Sequence, residues 1–117
     1  MPGFEVEFYQ MANGKEPARD FLLSLERRMR AKMVDTIVLL RDNGNELREP
    51  YSKHLSGGIF ELRAKVGTDI TRVLYFFYVG RKIILTNGFI KKTEKTPLSE
   101  IDKAKRYRSD YLERNRG

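Results

Sequence analysis

Residues 70–79, Ile-Thr-Arg-Val-Leu-Tyr-Phe-Phe-Tyr-Val, constrain the fold of this chain more than any other stretch. In a strand, side chains alternate between two faces. Here Arg72, Leu74, Phe76 and Tyr78 share one face, and Val73, Tyr75, Phe77 and Val79 share the other. Both faces are apolar and aromatic, and a strand of that kind must be covered on both sides. It therefore belongs at the centre of a sheet with a layer above and a layer below.

Its neighbours in sequence supply the rest of a sheet. Before it, Phe60, Leu62, Ala64 and Val66 alternate with Glu61, Arg63 and Lys65. The alternation predicts a strand with one core face and one polar, outward face. Gly67-Thr68-Asp69 then reads as a short hairpin loop. After the central run, Gly80-Arg81 suits a two-residue turn, and Lys82 to Phe89 is a third apolar strand. The expectation is a three-stranded antiparallel meander.

The first half of the chain supplies the cover. Phe4-Glu5-Val6-Glu7-Phe8-Tyr9 alternates and predicts a strand, with Phe4, Val6 and Phe8 inward. Pro17 suits the first turn of a helix carrying Phe21, Leu22 and Leu25. Met29, Met33, Ile37 and Leu40 then recur at helical spacing, with Val34 and Val38 broadening the stripe. Asn43-Gly44 reads as a helix C-cap. Residues 45–58 are polar, contain Pro50 and Gly57-Gly58, and read as a loop. Lys91 to Lys95 reads as a basic loop, and Thr96-Pro97 as an N-cap with a first-turn proline. Leu98, Ile101, Ala104, Tyr107 or Arg108, and Tyr111 follow helical spacing. The fold class is α+β, one domain over residues 1–117: strand, two helices, three strands, helix.

Charge narrows the partners. The net charge is +7, and it is uneven. Residues 1–50 hold 8 basic and 9 acidic side chains, whereas residues 81–117 hold 11 and 5. A basic C-terminal half points to a polyanion, nucleic acid first. No run has the length of a membrane span, and Glu5 and Glu7 interrupt the apolar start, so neither membrane nor ordinary signal peptide is expected. With no cysteine there is neither disulfide nor thiolate metal site, which fits a cytoplasmic setting.

Several chemistries drop out. His54 is the only histidine, so a two-histidine nuclease is impossible. No cluster of carboxylates suggests a two-metal site, and no metal or other cofactor is expected. What remains is a set of cations: Arg63, Arg72, Lys91 and Lys92 as catalytic candidates, with Lys53, His54, Lys65 and Lys95 as RNA-binding candidates. Cutting RNA without metal needs a base for the 2′-hydroxyl, cations for the charge at phosphorus, and an acid for the leaving oxygen. Arginine suits phosphate through paired N–H donors. A lysine beside other cations has its pKa lowered toward that of a usable base. The residues alone allow phosphate binding without cleavage equally well. The aromatic run Tyr75 to Tyr78 reads as core rather than as a base-stacking platform, and Arg27, Arg28, Arg30 and Lys32 as a solvated helix face.

Three segments together resemble a known family. They are Leu55 to Arg63, Thr71 to Tyr75, and above all Asn87-Gly88-Phe89-Ile90-Lys91-Lys92-Thr93-Glu94-Lys95-Thr96-Pro97. The pattern resembles the phage-derived HigB-like branch of the RelE/ParE toxin superfamily. The resemblance implies a small α+β toxin paired with a cognate antitoxin, often of helix-turn-helix type. It implies a messenger-RNA endonuclease working on the ribosome. By the same resemblance Arg63 and Arg72 match sheet positions that bind the scissile phosphate, and Lys91 and Lys92 match the basic segment after the last strand. Glu61 stands where the RelE type has a lysine, His54 matches a histidine of some HigB proteins, and Tyr107 and Tyr111 are the candidates for that type's C-terminal tyrosine. Two rival readings are a ParE-like inhibitor of a protein target such as gyrase, and a non-catalytic RNA-binding module.

Overall fold

A computed structural model describes residues 3–91 and 95–116, with backbone only for Lys91. The order is β1 (Glu5–Phe8), α1 (Pro17–Ser24), α2 (Arg27–Asn43), a 3-10 turn (Gly44–Glu46), β2 (Ser52–Ser56), β3 (Ile59–Val66), β4 (Asp69–Tyr78), β5 (Lys82–Lys91) and α3 (Leu98–Arg114). The strands form one mixed sheet in the order β1-β5-β4-β3-β2. Strands β2 to β5 are antiparallel, and β1 runs parallel to β5. Among the described residues no helix is long and apolar enough to cross a membrane.

The two-faced strand is the middle of the five, and both of its faces are covered. On one side α1 and α2 pack over Leu62, Ala64, Val73, Tyr75, Ile83 and Leu85. On the other, Ala104 and Tyr111 of α3 pack over Leu74, Phe76 and Ile84. Tyr75 and Phe76 are buried, as a core reading of the aromatic run requires. The meander therefore forms as the alternation predicts. Close approach fixes one glycine: a Cβ at Gly88 would sit 2.3 Å from the Phe21 ring, so only glycine lets α1 seat on β5.

Several local expectations are corrected. The stretch read as a loop contains a strand, β2, paired with β3 from Ser52↔Leu62 to Ser56↔Ile59. Ser-Lys-His-Leu-Ser has little β-propensity, but an edge strand needs only one partner. Gly57 and Gly58 both take positive φ, 53° and 87°, and make the two-residue hairpin turn. That Gly-Gly pair is the signal by which β2 could have been found. The turn after β4 spans Val79-Gly80-Arg81, and Val79 projects into solvent. On α2, Thr36 faces inward while Val34 and Val38 are exposed. The two helices break at Leu25-Glu26, where the Glu26 carboxylate accepts from the Met29 N–H at 3.0 Å. Gly44 caps α2 as expected, its N–H bonded to the Leu40 carbonyl.

The buried tyrosines give the fold an alkaline limit. Burial pushes the Tyr75 hydroxyl up to about 12 against the opposing pull of its Ser52 hydrogen bond. Burial, then Asp110 or Glu7, pushes Tyr9 and Tyr111 up to about 12 as well. A raised folded-state pKa means that stability is fully present below about pH 10 and lost as pH rises toward 12. For Tyr75 this amounts to about 3 kcal/mol at most. Urea midpoints measured from pH 8 to 11.5 should fall steeply above pH 10, and less steeply in Tyr75→Phe. Equal slopes in the two proteins would contradict this assignment.

Candidate phosphate-binding site

The site grows from one row of the sheet. In β3 and β4, Arg63 and Arg72 are directly opposite each other. Side chains so placed lie about 5 Å apart at Cβ, and two like charges there repel. Glu61, two residues before Arg63, is on the same face and resolves the conflict. Its carboxylate takes the Arg63 Nε–H at 2.5 Å, the Thr96 hydroxyl on the other oxygen, and Arg72 Nη1 at 3.8 Å. Arg72 Nη1 also donates to the Thr96 hydroxyl at 3.3 Å. Glu61 and Arg72 have no exposed surface, and Thr96 is buried.

This overturns the reading of Glu61 as a lone acid on an outward face. The chain leading into α3 lies over that end of the sheet, so a polar face becomes an interior ion network. Thr96 gives up the capping role expected of it. Pro97 occupies the N-cap position without a side-chain cap bond, and the Thr96 hydroxyl turns to Glu61 and Arg72 instead. The network therefore ties the segment before α3 to β3 and β4. Removing one member of a buried charge set leaves the others uncompensated, which costs several kcal/mol.

Arg63 differs from Arg72 in exposure. Arg72, expected as a phosphate-binding cation, is wholly enclosed and meets no solvent. Arg63 keeps 19% of its side chain exposed. It opens onto a cavity of about 280 Å³ whose wall also includes Lys53, His54, Ser56, Lys95, Thr96 and Leu98. Lys53 comes from β2, opposite Glu61, and shares its face. Lys95 precedes α3, whose N-terminal turn closes one side. The structure thus brings together Lys53, His54, Arg63 and Lys95 at one opening, with Arg72 beneath. Lys53, Arg63, Arg72 and Lys95 set four positive charges against the one Glu61 carboxylate, a surplus that favours phosphate.

The remaining candidates are placed otherwise. Lys65 is exposed on β3 and lines a neighbouring cavity toward α2. Lys91 ends β5 with its backbone opposite Ile70, while Lys92 lies outside the described residues. His54 sits on β2, its ring edge-on to Phe60 at 5.0 Å and its Nε2 accepting the Gly58 N–H at 3.1 Å. The C-terminal tyrosines are structural and belong to the far part of α3. Tyr107 stacks on Tyr9 at 4.7 Å, and Tyr111 donates to Glu7 at 3.0 Å. Among the described residues no group of three or more His, Cys, Asp or Glu side chains could hold a metal ion.

A family model described as phage-derived protein Gp49-like (DUF891) matches residues 20–109. The chain belongs to this Gp49-like family. The matched span runs from α1 into the second half of α3 and contains every residue of the cavity wall. It leaves out β1 and the last turn of α3. No curated protein matches the chain.

Proposed function

We propose that this Gp49-like protein is a toxin that cuts messenger RNA without a metal ion, on the ribosome, and is neutralised by a cognate antitoxin of helix-turn-helix type. One observation carries the reading: a half-buried arginine, held by a buried carboxylate on a rigid strand, at the mouth of a cationic cavity. Catalytic charge stabilisation needs donors whose orientation is fixed before the reaction. The Glu61 contact supplies that for Arg63, which lines the cavity where a phosphate would lie. Lys53 and Lys95 add positive charge along the path of the strand. Arg72 contributes from below, by holding Glu61 and Thr96 in place. Proton transfer at the 2′-hydroxyl and at the leaving oxygen falls to His54 and Lys53 at this opening or, on the RelE-like sequence pattern alone, to Lys91 and Lys92.

The test is direct. Purified protein should cut RNA, free or on pre-assembled ribosomes, and leave 2′,3′-cyclic phosphate ends. Cutting of naked RNA should persist in excess chelator. Cutting that stops in chelator and returns with magnesium would refute the metal-free route. After induction in cells, leucine incorporation should collapse before thymidine incorporation. Early loss of thymidine uptake with double-strand breaks would favour a gyrase inhibitor, and tight RNA binding without new ends would favour a binding module.

A further inference from the structure

A second cavity, of about 320 Å³, lies on the other side of Arg63, between β3, the segment before β2 and α2. Its wall combines Pro50, Tyr51, Ala64 and Ile70 with the charged ends of Lys32 and Lys65. We propose that it is a nucleobase subsite, in which one base of a single-stranded RNA stacks on Tyr51 while the adjoining phosphate lies at Arg63. This rests on the RNA reading above and adds to it the place of a base.

Three observations converge on this occupant. Tyr51 is 45% exposed, whereas Tyr75 and Phe76 of the same sheet are packed away, so a large aromatic surface is left facing a cavity. The Arg63 N–H donates to the Tyr51 carbonyl at 2.8 Å, so the two residues are held side by side through their backbones. Arg63 lines both cavities, so the two adjoin at this residue. Ala64 makes the space: it is the one small residue in the inward series Phe60, Leu62, Ala64, Val66. A flat apolar slot with an aromatic wall and cations at its edge matches a base with its flanking phosphates. A lipid chain or an apolar peptide would gain little from Lys32, Lys65 and Arg63. Lys32 thereby acquires a place beside the ligand path that its helix position alone did not suggest.

The test uses the full chain and a short 2′-O-methyl RNA, which cannot be cut, carrying 2-aminopurine at successive positions. In the parent, one position should show strong fluorescence quenching. Tyr51→Ala should abolish that quenching and weaken binding about tenfold, the scale of one lost base–aromatic stack. Tyr51→Phe should behave as the parent. Tyr51 is exposed, so both variants should melt with the parent. Unchanged quenching and affinity in a folded Tyr51→Ala, with the parent still cutting RNA, would overturn the subsite alone. A parent that neither binds nor cuts RNA would overturn the RNA reading, and the subsite with it.

Discussion

Arg63→Ala is expected to lower the single-turnover rate of RNA cleavage about 10²-fold or more, the scale of losing one preorganised donor to a developing oxyanion. The reasoning is geometric. Arg63 stands on the middle of β3, is held at Nε by Glu61, and reaches the cavity that Lys53 and Lys95 line. No other described guanidinium lines that opening, since Arg72 is enclosed. Arg63→Lys keeps the charge but loses the planar fork, so it should recover only part of the rate. Glu61 retains Thr96 and Arg72 as partners, so Arg63→Ala should still fold. Arg27→Ala, at the exposed start of α2, should cut as the parent does. Lys92→Ala should resemble Arg63→Ala on the RelE-like pattern of the segment Gly88 to Pro97. A folded Arg63→Ala that cuts at the parent's rate would remove the site from consideration.

Glu61→Ala should cost about 3–5 kcal/mol of stability, because it removes a buried carboxylate that the enclosed Arg72 faces. Against a total of roughly 5–15 kcal/mol for a domain, that leaves a marginal protein. The variant also releases Thr96, and with it the segment leading into α3. Glu61→Gln keeps an acceptor for Thr96 and removes only the charge, so it should lose less. Replacing Glu61 and Arg72 together by Leu and Met should recover most of the stability, since a buried pair is worth little relative to apolar packing. Urea unfolding of the four proteins decides the matter. A loss below about 1 kcal/mol in Glu61→Ala would mean that the carboxylate is not the centre of the network. Activity separates the two roles: the Leu/Met double variant should be stable yet slow, because Arg63 has lost the group that orients it.

Much of the architecture was legible in the order of residues. The two-faced run at 70–79 required a central strand with cover on both sides, and β4 is the middle strand of five. The alternation around Phe60 to Val66 placed Leu62 and Ala64 against the helices, and Gly44 ended α2 where a left-handed residue was needed. Lys53, Arg63 and Lys95 were named as candidates by their charge, Arg63 on an alternating strand and the two lysines in polar segments. Strand β2 was not legible, since its five residues carry no apolar alternation and are held by pairing with β3 alone. Period-two alternation assigns side chains to faces, but it does not report whether a face is covered. By sequence Glu61 and Arg63 shared a polar face and Arg72 an apolar one; the register of β3 on β4 joins them. Covering that face is the work of residues 35 positions beyond Glu61, where Thr96 leads into α3. The residues by themselves determined the antiparallel meander, the helices and the sign of the charge. Tertiary structure decided which arginine is enclosed and which is presented, because desolvation depends on the packing of segments distant in the chain.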